Sequence, residues 1–142
     1  MKTVLTKEAL LKKQELEIVE VDLGNEECVY VRQMTGHERD QFEQSMRKEI
    51  RDKNGVITNY EMALADFRAK LAVSTVCDDK GILLLTKNDY MVLSNNMSAQ
   101  RLETIINVAQ KLNAITQEDK EGLIKNLEAV PGDNSSSGSV EN

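Results

Sequence analysis

The sequence predicts an α+β fold that is mainly α-helical, with an N-terminal β-hairpin followed by four to five helices and a disordered C-terminal tail. Three observations support this prediction. Apolar and polar residues alternate near the N-terminus, apolar residues recur at helical spacing over much of residues 35–127, and residues 130–142 are rich in Ser and Gly with almost nothing to bury. We therefore expect one folded domain over residues 1–129, followed by the tail.

The hairpin is predicted over residues 15–32. Residues 15–23 alternate like a half-buried strand, residues 24–27 form a Gly-Asn-Glu-Glu turn, and residues 28–32 return as the second strand. A short helix over residues 6–13 precedes the hairpin, and Thr6 can cap it. Because a lone hairpin is marginally stable in water, this one must lie on the helices or pair with another chain.

The first helix after the hairpin begins at Thr35, which forms a capping-box pattern with Glu38. One face of this helix repeats every four residues, at Phe42, Met46 and Ile50, until residues 52–55 break it. Apolar spacing predicts a second helix over residues 60–76. Residues 82–85, Ile-Leu-Leu-Leu, are too short for their periodicity to distinguish a strand from a buried turn.

Three further helices are predicted, beginning near residue 86, at Ser98 and near residue 116. The helix from Ser98 has the best amphipathic stripe of the chain. Its candidate contact residues for a partner are Leu102, Ile105, Ile106 and Ala109. The alternative is that these four residues form the intramolecular core. Changing Leu102 and Ile106 to Asp would decide, because a core residue would unfold the chain and a surface residue would only weaken partner binding.

Composition excludes several classes of function. The 142 residues carry a formal net charge of −6, and aromatic residues make up only 4%. Nucleic-acid affinity comes largely from basic side chains, so this acidic chain is a poor candidate for nucleic acid or for anionic membrane surfaces. No apolar run approaches the roughly 20 residues of a membrane span, and the charged N-terminus is unlike a signal peptide. We expect a cytoplasmic protein.

No motif for catalysis, for a cofactor or for a metal stands out. The single histidine, His37, lies in a predicted first helical turn, and Glu38 beside it would point to another face. Residues 78–81, Asp-Asp-Lys-Gly, fail as a calcium loop because lysines would occupy ligand positions, so a plain turn is predicted. Cys28 and Cys77 are isolated and fit no disulfide framework. We therefore expect that the protein is not an enzyme and that it binds no cofactor.

Three segments in order resemble the tail assembly chaperones of long-tailed bacteriophages and prophages. The first is residues 30–42, YVRQMTGHERDQF, where a strand leads into Thr-Gly, Glu-Arg and an aromatic residue. The second is residues 67–81, FRAKLAVSTVCDDKG, followed by Leu85, Thr86 and Asp89. The third is residues 109–116, AQKLNAIT, with Asp119, Leu123, Lys125 and Asn126 and then the Ser-rich tail. The resemblance covers the chain from about residue 16 onward.

The resemblance implies a chaperone that binds the tape measure protein and helps recruit tail tube subunits in the host cytoplasm. Such proteins act while a non-contractile tail is built and are absent from the mature virion. In many of these phages a ribosomal frameshift also yields a longer form of the chaperone, for which the Ser-rich tail would be a tether. Amphipathic helices could cover the apolar surface of a tape measure helix, and neighbouring copies would then reinforce each other, so we expect self-association.

Two other classes remain open at the level of sequence. The first is another phage tail structural protein or a head–tail connector or adaptor; a circular dichroism spectrum dominated by strand would favour a tube subunit. The second is a bacterial regulator or a small enzyme. The missing basic recognition helix opposes the regulator, and the missing convergent site opposes the enzyme.

Overall fold

The computed structural model describes residues 1–62 and 66–115, with the side chains of residues 60–62 excepted. The helix predicted from residue 116, the tail predicted over residues 130–142 and the boundary between them lie outside the described residues. The described elements are, in chain order, α1 (Lys7–Leu11), β1 (Ile18–Gly24), β2 (Glu27–Arg32), α2 (Gly36–Ser45), β3 (Arg47–Arg51), β4 (Ile57–Met62), α3 (Phe67–Thr75), β5 (Val76–Cys77), a 3-10 turn (Lys87–Asp89), α4 (Tyr90–Asn96) and α5 (Ala99–Leu112). The fold is α+β and mainly helical, as predicted.

The predicted N-terminal hairpin is confirmed, and it pairs within the chain. β1 and β2 are antiparallel, with Val19 opposite Val31 and Val21 opposite Val29. β5 adds a third antiparallel strand next to β2, so the sheet order is β1-β2-β5. β5 follows α3 directly, so no loop separates the sheet from the helices. The third strand and the helices stabilise the hairpin, which would be only marginally stable by itself.

The core lies where α5 packs against β1, β2 and α3. Val31, Leu71, Ile105 and Ile106 are each no more than 2% exposed. Full burial of a side chain of this size stabilises the fold by roughly 1.5–3 kcal/mol. Phe42 of α2 and Phe67 of α3 meet edge to face, with ring centroids 5.8 Å apart, which fastens α2 to the same core.

The structure differs from the prediction between residues 46 and 62. The helix that begins at Gly36 ends at Ser45, and β3 and β4 form a second antiparallel hairpin. The continuation of the first helix to Ile50, and the start of the second helix at residue 60, were wrong. Met46 is fully buried, whereas Ile50 is 38% exposed, so the two residues do not share one helical face.

Local hydrogen bonds explain this second hairpin. The Asp52 carboxylate accepts from the amides of Asn54 at 2.8 Å and Val56 at 3.0 Å, which folds residues 52–56 into a turn. Gly55 has φ +83°, a conformation that costs glycine little.

The end of α2 is also stabilised by a side chain. The Lys70 ammonium group donates to the Ser45 carbonyl at 2.7 Å, so a cation satisfies one of the terminal carbonyls of the helix.

Candidate partner-binding surface

The sequence-predicted contact stripe lies in the interior. Leu102, Ile105, Ile106 and Ala109 are all buried, none more than 4% exposed, and they belong to the core cluster between α5, α3 and the sheet. In this fold the four side chains are not accessible to a partner. They lie in the intramolecular core, which was the alternative to a contact surface. The face of α5 that carries them packs against β1, β2 and α3.

One exposed apolar surface lies instead on α4 and on the segment before it. α4 has no charged residue, and Met91 and Val92 are 56% and 62% exposed. Residues 82–84 pair with the end of the sheet: Leu83 bridges Cys77, and the Leu84 amide donates to the Val76 carbonyl at 3.1 Å. Ile82 and Leu84 consequently point outward and are exposed. Ile82 and Leu84 are 63% and 59% exposed.

An open cavity of about 620 Å³ lies against this surface, between residue 85, α4 and the start of α5. We call it the α4 groove. Its apolar lining is Leu85, Val92, Leu93 and Met97, and the charged residues on its wall are Asp89 and Arg101. The volume is in the range of pockets that take small ligands or a few side chains of a partner. Methionine adapts its shape to different apolar partners, so Met91 and Met97 suit a surface that binds variable sequences.

A second cavity of about 330 Å³ lies on the other side of Leu85, between α2, α3 and residues 83–90. Phe42, Val73 and Tyr90 contribute to its wall. The Lys70 ammonium group stands 5.0 Å from the centre of the Tyr90 ring, at the distance of a cation–π contact. Leu85 lines both cavities, so a change in its position alters both of them.

Polar contacts fix the walls of the α4 groove. The Ser94 hydroxyl donates to the Asp66 carboxylate, which joins α4 to the start of α3. Arg101 forms an ion pair with Glu27 at the hairpin turn, which joins the start of α5 to β2. The Nε atom of Arg101 is buried and has no hydrogen-bond partner within residues 1–62 and 66–115. α4 is thereby joined to α3, and α5 is joined to the hairpin, so contacts to the rest of the fold hold both helices that form the groove.

Residues from the ranges 30–42, 67–81 and 109–116 meet around Arg32. Its guanidinium group binds the Glu38 carboxylate at two points, at 3.1 and 2.8 Å, and it is 7% exposed. Asn113 donates to the Arg32 carbonyl at 3.4 Å, and a Cβ on Gly81 would lie 3.9 Å from the Arg32 Cδ. Arg32, Glu38, Gly81 and Asn113 therefore lie close to one another in the folded chain.

Glu38 also completes the predicted capping box. Its carboxylate accepts from the Thr35 amide at 2.9 Å, and its own amide donates to the Thr35 hydroxyl at 3.2 Å. Burial alone would raise the pKa of Glu38. Hydrogen bonds from Arg32 and Thr35, together with the charge of Arg32, outweigh burial and lower this pKa below its ordinary value. The carboxylate is therefore held in its charged form at the start of α2.

The other residues considered from the sequence, which are His37, the turn at residues 78–81 and the two cysteines, form no evident site over the described residues. His37 is exposed in the first turn of α2, and the Asp78 carboxylate accepts from the Lys80 and Ile82 amides, as expected for a turn. Cys28 is exposed and Cys77 is buried. Over the described ranges no three His, Cys, Asp or Glu side chains stand close enough to hold a metal ion. In the same ranges no helix is long and apolar enough to cross a membrane.

Sequence reasoning missed the α4 groove, although a signal for it was present. Four consecutive apolar residues, 82–85, stand just before the uncharged stretch 90–97, and such a run is unusual on a surface. As for relatives, no known protein family, curated protein or solved structure matches the chain.

Proposed function

We propose that this protein is a tail assembly chaperone of a long-tailed phage or prophage. It would bind the tape measure protein in the host cytoplasm and help recruit tail tube subunits, then leave before the virion matures. The resemblance of the three segments suggests this role. The observation that carries it is the uncharged, exposed face of α4 beside an apolar groove, because it supplies a surface on which a chaperone can hold an apolar helix.

The mechanism follows from the shape of that surface. A tape measure helix exposes apolar residues at helical spacing, and such a helix binds by placing them in an apolar groove of its partner. Met91, Val92 and Met97 would contact the client, and the flexibility of methionine would let one chaperone bind many different repeats. The net charge of −6 on each copy would keep the coated client soluble until tube subunits replace the chaperone.

The direct test is capture of a tape measure fragment from the same genome. Val92→Asp places a charge in the groove and should lower the captured amount at least tenfold while leaving the circular dichroism spectrum unchanged. Val56→Asp is the matched control, because Val56 is also exposed, at 57%, but lies on the turn of the second hairpin. Equal capture by both variants, or no capture by the unmodified chain, would refute the proposal.

Two further observations separate the chaperone from its alternatives. A very long reading frame of tape-measure type immediately downstream of the gene supports the chaperone. Purified mature particles should lack the protein. Its retention in the particle would instead assign it to the structural or connector proteins of the tail.

A further inference from the structure

The N-terminal arm, residues 1–13, is an apolar and basic segment that the described body leaves uncovered. α1 is formed, since the Thr6 hydroxyl accepts from the Ala9 amide at 3.2 Å, yet α1 has no buried residue. Val4, Leu5, Leu10 and Leu11 are all more than half exposed. A helix of five residues is not stable in water without a surface to pack on. Such an arm needs an apolar site.

The arm and the rest of the chain carry opposite charges. The arm contains four lysines and one glutamate, a net charge of +3, which leaves −9 on residues 14–142 of a chain whose total is −6. Opposite net charges attract two copies and bring the arm of one towards the body of the other. Near the α4 groove, Asp89 and Glu27 are acidic and Arg101 is the basic residue, already paired with Glu27.

The geometry of β1 favours a second copy over the chain's own groove. Glu17 extends the pairing beyond β1, because its carbonyl accepts from the Gln33 amide at 3.0 Å and its amide donates to the Gln33 side chain at 2.9 Å. The chain before Ile18 is therefore directed away from the hairpin turn, where Glu27 meets the Arg101 wall of the groove. Return along the seven residues of β1 requires roughly 23 Å. The six residue steps from Glu17 back to Leu11 span at most about 22 Å, so even a fully extended linker falls short of this distance.

We propose that the α4 groove binds the N-terminal arm of a second copy of this chain, with Leu10 and Leu11 seated on Leu85, Val92 and Met97. Each copy then offers one arm and one groove. Two copies can exchange arms in a closed pair, and further copies can add head to tail in a ring or an open row. This contact does not depend on the identity of the client, although arm and client would compete for one groove.

The test uses the full chain with cysteines placed on the two surfaces. In a Cys28→Ser background, one preparation carries Leu11→Cys and the other carries Val92→Cys. After mixing and mild oxidation, we expect a disulfide-linked pair that contains one chain of each kind, with Val56→Cys in place of Val92→Cys as the control that does not link. A chain that carries both Leu11→Cys and Val92→Cys and links only within itself at high dilution would overturn the proposal.

Sedimentation velocity supplies an independent measurement. Leu11→Asp should weaken self-association at least tenfold, Val92→Asp should do the same, and Val56→Asp should leave it unchanged; added salt should weaken it further. A chain that is monomeric at every concentration refutes arm exchange. Leu11→Asp leaves the groove intact, so it should still capture a tape measure fragment. Loss of association and loss of client binding are thus separate results.

Discussion

The side-chain oxygen of Asn113 accepts a hydrogen bond from the backbone amide of Met34 at 2.6 Å, across 79 residues of sequence. The side-chain nitrogen of Asn113 donates to the Ala109 carbonyl at 3.0 Å, and Arg39 donates to the Asn113 carbonyl at 2.9 Å. Asn113 therefore ends α5 and joins that end, by hydrogen bonds, to the start of α2.

Removal of this side chain should destabilise the fold. Asn113→Ala leaves the largely buried Met34 amide without its acceptor, and we expect the free energy of unfolding to fall by about 1–3 kcal/mol. Asn95→Ala is the control, because the Asn95 side chain is exposed and, among residues 1–62 and 66–115, bonds within α4 to the Met91 carbonyl. Urea unfolding followed by circular dichroism measures both. Equal losses in the two variants would contradict a long-range role for Asn113.

The Arg32–Glu38 ion pair predicts a dependence of stability on pH. The pKa of Glu38 is lower in the folded chain than in the unfolded one, so its contribution is present in full above the unfolded pKa, about 4.3. It is lost as the pH falls through the folded pKa. Glu38→Gln should therefore cost about 1.5–3 kcal/mol at pH 7 and progressively less in acid. Urea unfolding at a series of pH values checks this.

The matched control for that experiment is Glu43→Gln. Glu43 pairs with Arg39 at 3.0 Å, but both side chains are more exposed than Arg32. Such a pair contributes little, so we expect a change within about 0.5 kcal/mol at pH 7. A loss as large as that of Glu38→Gln would show that the position of Glu38 beside Arg32 is not special.

A comparison of Gly81→Ala with Gly24→Ala separates the energetic cost of backbone strain from that of side-chain crowding. Their φ angles are nearly equal, +87° and +84°, but a Cβ on Gly81 would lie 2.9 Å from the Ile18 Cδ1, whereas Gly24 faces open space. Both Gly→Ala changes should cost about 1–2 kcal/mol from φ alone, and Gly81→Ala should cost somewhat more. Ile18→Val removes the Cδ1 atom and should cancel the excess in a double-mutant cycle measured by urea unfolding. An unchanged excess would refute the steric cause.

The two cysteines should differ in their reaction with a thiol reagent. Burial raises the pKa of Cys77, and the side chain is 1% exposed, so it should react only when the fold opens. Cys28 is exposed and should react first, although a hydrogen bond with Glu20 raises its pKa as well. Kinetics of labelling in Cys28→Ser and Cys77→Ser variants test this. Rapid labelling of Cys77 in the native chain would contradict the burial.

Some elements could be predicted because their signals are local. Residues 15–32 alternate around a Gly-Asn turn, and α5 has Ser98 at its start, a continuous stripe and Asn113 at its end. The second hairpin was missed because Phe42, Met46 and Ile50 also fit a helical repeat. Asn54 and Gly55 mark a hairpin turn as well as a helix break. Sequence spacing alone does not decide between these two structures.

The candidate surface depended on information that is not local. The stripe of Leu102 and Ile106 is equally suited to a partner and to the chain's own sheet, and only the packing of β1 and β2 decides that the sheet covers it. Conversely, Met91 and Val92 resemble ordinary core residues in sequence. They are exposed because α4 contacts α3 and packs Leu93 against the core, which leaves Met91 and Val92 on its outer side.

α5 is the last described element, yet it covers the strands and the helix that the ribosome makes first. Until residue 113 has been synthesised, Val21, Val31 and Leu71 lack their cover and the Met34 amide lacks its acceptor. The domain therefore closes late in translation. A ribosome that changes reading frame before α5 releases a chain that cannot complete this core. A change of frame after residue 115 leaves the sequence of every described element unchanged, so the contacts between α5, the sheet and α3 can still form.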